Sequence, residues 1–376
     1  MNISAVVADD WAYVLNMLPV DLETSATDRL ALQRRREIAS AEDLLRLCLA
    51  YGLCDLSLRE AAAWAELTGI GRLSNVAVLK RLRNCADWLG YLILRWLQER
   101  AVPTDATGLP VRIIDATGVC RPGSRGTDWR LHLGLDLQRL RISSAELTGP
   151  EGGESFARHQ FDPGEIVVGD RGYARRPGVA AVLEAQAHVL VRIGWQNFPL
   201  LAADHGPLDI VGCLELLDHG EIGDWPVAFE HRAQRYPVRL IALRKSPEAA
   251  EQERARVRSQ TRSRKGRGPH RNSLRAAAFV FVITDLPVEV LPTAEALELY
   301  RLRWQIELYF KRLKSILNID HLRARDERLG RTYLYANILG ALIIDELREA
   351  APTFFPWGYP LRPQAGQRVA AVPDAH

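Results

Sequence analysis

The stretch Leu299 to Lys314, LYRLRWQIELYFKRLK, constrains this chain more than any other. It holds no Gly or Pro, is rich in good helix formers, and repeats its apolar residues at helical spacing. On a wheel of about 100° per residue, Leu299, Leu302, Ile306, Phe310, Leu313 and Leu317 fall within one arc of roughly 80°. Tyr300, Arg303, Glu307 and Lys314 share an adjoining arc of roughly 60°. A single helix here must bury one stripe, and its edge then presents a phenol, a guanidinium, a carboxylate and an ammonium in a row. An ordinary amphipathic helix with i, i+4 pairs such as Arg303 and Glu307, worth a few tenths of a kcal/mol each, gives the same wheel. The rest of the chain has to decide between them.

A length of 376 residues calls for two or three domains. With 47% hydrophobic and 25% charged residues, the composition is that of a soluble globular protein. The net charge of +3 argues for no partner by itself. Cys48, Cys54, Cys85, Cys120 and Cys213 are odd in number and form no Cys-x-x-Cys pair. That gives no zinc pattern and fits reduced thiols in a cytosolic protein. The acidic opening MNISAVVADDWAYVLNML lacks the basic region of a signal peptide. No apolar run reaches the roughly 18 residues of a membrane span, so no membrane partner is expected.

Residues 1–105 read as an all-α N-terminal domain. AEDLLRLCLAYGL, LSLREAAAWAEL and SNVAVLKRLRNCADWLGYLILRWLQER are periodic segments separated by Gly-containing breaks, with Ser57 and Ser74 as N-caps and Glu60 in capping-box spacing. The pair LSLREAAAWAELTGIGRLSNVAVLKRLRN suggests a helix-turn-helix that would offer Lys80, Arg81 and Arg83 to a DNA backbone. A plain helical bundle is the competing reading.

After Pro110 the pattern becomes α/β. VRIIDAT, WRLHLGLDL and LRISSAELTG read as strands, ESFARHQF as a short helix, EIVVGDRGYA as a buried strand, RRPGVAAVLEAQA as a helix and HVLVRIG as a further strand. Two hydrophobic strands thus deliver Asp115 and Asp170 at their ends, where ligands gather in an open α/β sheet. An isolated strand-end Asp is usually a cap or turn former. The rhythm is lost over residues 195–278, which read as a β-rich insertion. That insertion ends in a run with nine Arg/Lys between Arg254 and Arg275 and no Asp or Glu. Such a run is either a solvated segment or a phosphate surface, and Arg262, Arg264, Lys265 and Arg267 are its central candidates for DNA contact. FVFVITDLP returns to a buried strand, and residues 351–376 read as a tail.

Asp115 in IIDATG, Asp170 in GDRGY and the spacing Tyr300-x2-Arg303-x3-Glu307-x6-Lys314 together resemble one family. It is the bacterial DDE transposases of the IS-four insertion-sequence family, in the group with the Tyr-Arg-Glu-Lys signature. PGSRGTDWRLH and LLRLCLAYGL…SLREAAAWA are similar to that group as well, and the likeness spans roughly residues 40–345. It implies a ribonuclease-H-like catalytic domain over residues 106–350, interrupted by the β-rich insertion before its last catalytic helix. Family members usually carry a longer helical tail that pairs subunits, whereas this chain ends in AGQRVAAVPDAH.

The resemblance further implies cut-and-paste DNA transposition at the terminal inverted repeats of an insertion sequence. Asp115, Asp170 and Glu307 would be both the catalytic acids and the ligands of two Mg²⁺ ions, with Mn²⁺ able to substitute; three carboxylates suit such hard cations. Tyr300, Arg303 and Lys314 would hold DNA near the cut, with Arg171 and Tyr173 as further candidates. The partners are then double-stranded DNA, as element ends and target, and a second copy of the chain, in the bacterial nucleoid. Two other readings compete: a relic that binds DNA without cutting it, and a host nuclease of the same fold.

Overall fold

The computed structural model describes residues 11–99, 108–124, 126–138, 141–202, 204–265, 268–317, 322 and 325–354. The chain divides into two compact units, Met1–Glu99 with Arg323–His376, and Arg100–Leu322. After a helical stretch at 11–17, the first unit continues with α1 (Leu22–Asp28), α2 (Ala41–Leu53), α3 (Leu58–Leu67), α4 (Asn75–Leu82) and α5 (Ala86–Glu99). Each of α2, α3 and α4 starts on a serine that accepts a backbone N–H, which satisfies a donor the first helical turn would leave orphaned. Ser57 and Glu60 complete the expected capping box: Glu60 accepts from Ser57 N at 2.7 Å, and Ser57 accepts from Glu60 N at 3.3 Å.

The second unit is built on one eight-stranded sheet in the order β3-β2-β1-β4-β5-β8-β7-β6. Its elements are β1 (Val111–Val119), β2 (Trp129–Asp136), β3 (Arg141–Thr148), β4 (Ile166–Gly169), α6 (Arg176–Glu184), β5 (His188–Arg192), α7 (Ile210–Glu215), β6 (Ile222–His231), β7 (Gln234–Arg244), α8 (Pro247–Lys265), α9 (Arg271–Ala276), β8 (Phe279–Thr284), α10 (Thr293–Arg301) and α11 (Trp304–Leu317). Among the described residues, only β1 with β4 and β4 with β5 pair in parallel; the other pairings are antiparallel. The core continues from Val167, Val189 and Val191 through Phe198 and Phe229 to Leu240 and Ile283.

Three local expectations are corrected. The segment after β3 that reads as a short helix forms only a 3-10 turn, Phe156–Arg158. Asp115 is not at a strand end, because β1 runs on to Val119 along its antiparallel partner β2. The strands of the β-rich insertion join the central sheet, where β6 and β7 extend it beyond β8. The stretch 299–314 is not one helix. It breaks at Leu302 and Arg303 between α10 and α11, so Leu302 is 37% exposed while Tyr300, assigned to the polar edge, is 9% exposed. The amides of Leu302 and Arg303 turn back to Leu299 and Tyr300 carbonyls, a tightening that rotates the two halves of the wheel apart.

The extension of the sheet has a use for the site. Arg239 of β7, mostly buried, donates to the carbonyls of Leu286 and Leu291, both at 2.9 Å, and to Thr293 Oγ1 at 3.1 Å. It also pairs with Asp224 of β6, so the start of α10 is tied to the inserted strands. The chain then returns to the first unit as α12 (Glu327–Phe354), which packs on α2 and α5. There a Cβ on Gly52 would stand 2.8 Å from Ala336 Cβ, which is why α2 can approach α12 so closely.

Candidate active site

The acids gather at the edge of the parallel ladder. β1 and β4 stay in register as far as Ile114 opposite Gly169, and Asp115 and Asp170 are the next residue on each. Asp115 is mostly buried; its Oδ1 accepts the Ala116 N–H at 2.8 Å. Burial first, and the neighbouring Asp170 charge among the lesser causes, push its carboxyl up to about 7, against the pull of Ala116 and Arg303. Asp170 begins a tight turn and accepts the Gly172 N–H at 2.7 Å.

Arg303 links this pair to the third acid. Its Nη1 lies 3.9 Å from Asp115 Oδ2, and its Nη2 donates to Glu307 Oε1 at 2.7 Å. The Glu307 side chain is half exposed, on the first turn of α11, and α11 lies against β1. Tyr300 places its ring under the same guanidinium, 5.9 Å from Arg303 Cζ. Lys314 is on the last turn of α11 and half-buried.

A fourth carboxylate enters that the sequence does not single out. Glu154 sits just before the 3-10 turn and pairs with Arg130 at 3.4 Å. Burial and then the charge of Asp170 raise its pKa. Tyr173, expected at the DNA, is instead completely buried, its ring tilted 35° to that of Phe156 with centroids 5.1 Å apart. Burial, then Asp115, Glu154 and Asp170 in that order, raise the phenol's pKa. Its hydroxyl has no hydrogen-bond partner among the described residues.

The outer DNA candidates are dispersed. Arg171 is exposed beside Gly194. Arg262 is exposed on α8, the 19-residue helix into which most of the basic run folds. The helical backbone continues through Arg264 and Lys265, while Arg267 lies outside the described residues. The start of that run is partly neutralised, since Arg254 and Arg258 reach Glu251 and Arg256 reaches Glu253. In the first unit Lys80 is exposed, whereas Arg83 pairs with Asp326 at 2.7 Å. Among the described residues, no group of three or more His, Cys, Asp or Glu side chains is arranged to hold a metal ion.

Comparison with known proteins settles the family. Residues 106–343 match the transposase DDE domain. The chain belongs to the DDE transposases. The transposase is 40% identical, over 93% of its chain and 96% of the relative, to the putative transposase InsL for insertion sequence element IS186A of Escherichia coli K12. It is 39% identical over the same shares to the transposase for insertion sequence element IS421 of Escherichia coli. A more distant relative, the transposase for IS231E of Bacillus thuringiensis subsp. finitimus, is 23% identical over 87% of the chain and 77% of its own length. No helix among the described residues is long and apolar enough to cross a membrane.

Proposed function

We propose that this transposase cuts and rejoins DNA at the ends of an insertion sequence by metal-dependent phosphodiester transfer on a ribonuclease-H-like core. The observation that carries the reading is the pairing of Asp115 and Asp170 at the edge of the β1/β4 ladder, with Arg303 bridging to Glu307. The donor set suits hard divalent cations: a mostly buried carboxylate with a second beside it raises the free energy of the ionised pair, and a cation removes that penalty. Asp115, Asp170 and Glu307 are the residues that would hold two Mg²⁺, or Mn²⁺ in their place. Such ions, when bound, activate the attacking oxygen and stabilise the leaving one.

The chain's own residues do the rest. Glu307 is free to turn inward only when Arg303 releases it, because the 2.7 Å bond now holds that carboxylate on the guanidinium. A DNA phosphate is the natural competitor for Arg303, since a planar fork pairs bidentately with either anion. DNA binding then releases the third acid at the moment its ligand role is needed. Tyr300 fixes the plane of that guanidinium, and Lys314 and Arg171 supply further phosphate contacts. The exposed cations of α8 extend the contact without reading sequence. The helical first unit binds the element ends, and two copies of the chain hold a pair of ends together. No feature of the described residues favours a protein that binds DNA but leaves it uncut.

Glu307→Gln tests the reading. The two residues are nearly equal in size and both favour helix, so α11 persists, while a hard cation loses one anionic ligand. A gel shift and a nicking assay on one inverted-repeat duplex should show binding retained and cleavage with Mg²⁺ or Mn²⁺ lost. Cleavage at the wild-type rate removes Glu307 from the centre.

A further inference from the structure

We propose that Glu154 is a fourth carboxylate of the metal centre, sharing one divalent cation with Asp170. The inference rests on the metal-dependent reading above and adds a residue that reading does not contain.

The turn after β3 brings Glu154 in. Phe156 buries its ring against Tyr173, and the Ser155 side chain accepts the Ala157 N–H, so the Phe156–Arg158 turn is pinned from both sides. Glu154 then reaches over the loop that follows β4. Gly172 leaves it room: a Cβ there would stand 1.8 Å from Glu154 Oε2 and 3.0 Å from Asp170 Oδ1. Both oxygens therefore lie within 3.0 Å of a single point. An Mg²⁺ ion with ligands at about 2.0–2.1 Å spaces its oxygens roughly 3–4 Å apart, so one ion can close this pair.

Charge and hydrogen bonding agree with the geometry. Asp115, Glu154 and Asp170 bring three negative charges together. On the Glu154 side they are opposed by Arg130 at 3.4 Å, with Arg175 further off, and on the Asp115 side by Arg303, which is engaged with Glu307. Tyr173 is the independent sign. It is fully buried, the charges of all three acids act on its phenol, and its hydroxyl lacks a partner among the described residues. A buried hydroxyl is seldom left unpaired, because it then forfeits its bond to water with nothing in exchange. It is accounted for if it donates to a ligand or water of a bound ion, the usual outer-shell arrangement around a metal.

Because Glu154 does not depend on Arg303, the Glu154–Asp170 pair captures its cation before DNA arrives. Glu307 completes the centre afterwards. The order of assembly is thus built into which acid is held by the arginine.

The test is Mn²⁺ titration of the full chain without DNA, followed by the paramagnetic resonance signal of free Mn²⁺, alongside thermal unfolding in EDTA. Asp170→Asn should abolish the tight site. Glu154→Gln should weaken it by about tenfold or more while the EDTA midpoint is kept, since affinity follows ligand charge count. Glu307→Gln should leave this first ion in place. Arg130→Gln separates ligand from ion pair: it should leave Mn²⁺ affinity unchanged or tighten it. Gly172→Ala, which pushes the Glu154 carboxylate aside without removing its charge, should also weaken the site, and it decides the matter if Glu154→Gln does not fold. Wild-type affinity in Glu154→Gln, or an equal loss in Arg130→Gln, overturns the proposal. If Asp115→Asn and Asp170→Asn also bind Mn²⁺ and cleave DNA normally, the metal-dependent reading itself falls, a separate outcome.

Discussion

The floor beneath the acids can be tested by pairing a substitution at Gly169 with one at Phe156. Gly169 is the last residue of β4 and immediately precedes Asp170. A Cβ at position 169 would stand 2.5 Å from Phe156 Cζ, 2.9 Å from Phe156 Cε1 and 3.2 Å from Tyr173 Cβ. Both rings are fully buried, so neither can swing into solvent to make space. Gly169→Ala should therefore cost about 1–3 kcal/mol by overpacking. Phe156→Leu removes the two ring atoms responsible and, as a moderate large-to-small change, should cost about 1–2 kcal/mol by itself. Combined, the second change relieves the first, and the double variant should be more stable than the sum of the singles by about 1–2 kcal/mol, the residual strain coming from Tyr173. In a unit of this size each kcal/mol moves the melting temperature by about 2–4 °C. Native-state hydrogen exchange of the Val167 and Val189 amides reads the sheet unit without assuming that both units unfold together. If Gly169→Ala costs as much in the Phe156→Leu background as in the wild type, the ring is not what fills the space over Gly169. The anchoring argued for Glu154 then fails with it.

Two further perturbations follow from the same unit. His132 and His159 are both pushed down to about 4, by burial first and then by Arg158 for His132 and by His132 itself for His159. Each pKa is depressed on folding, so their stabilisation is present above the ordinary histidine value near 6.5 and is lost as pH falls from there through about 4. The double variant His132→Asn, His159→Gln should have a flatter urea midpoint between pH 6.5 and 4 than the wild type; an unchanged slope would mean that neither ring resists protonation. On α8, Arg262→Gln should weaken DNA binding for all sequences alike and reduce the salt slope by about one. The same change at Arg258, already bonded to Glu251 at 2.7 Å, should reduce it less. Equal effects would show that the Glu251 pair does not compete with phosphate.

The candidate acids stand out in the sequence; their arrangement does not. Asp115, Asp170 and the Tyr300–Lys314 spacing are visible through their resemblance to the family signature. The wheel over 299–314 misled because periodicity cannot see a single break. Two residues of tightened backbone at Leu302 and Arg303 turn Tyr300 inward and leave Leu302 exposed. The same break sets the Arg303 guanidinium between Asp115 and Glu307. Strand ends were misjudged at Asp115 for a related reason: β1 loses its parallel partner there but keeps its antiparallel one, and pairing on one side has no signature in one dimension. The inserted strands β6 and β7 show in the sequence only as short runs broken by Gly and Pro, with no sign that they extend the sheet or that Arg239 ties them to α10. Glu154 had the weakest signal of all. It sits in GPEGGESF, where glycines erase any period, and its partners Asp170 and Gly172 lie across a tertiary contact. What a sequence does offer is the glycine: in GDRGY the second Gly is the residue a Glu oxygen approaches to within 1.8 Å of where a side chain would begin. A glycine two residues after a candidate metal-binding carboxylate, as Gly172 is after Asp170, is therefore a place to look for a second acid arriving from elsewhere in the chain.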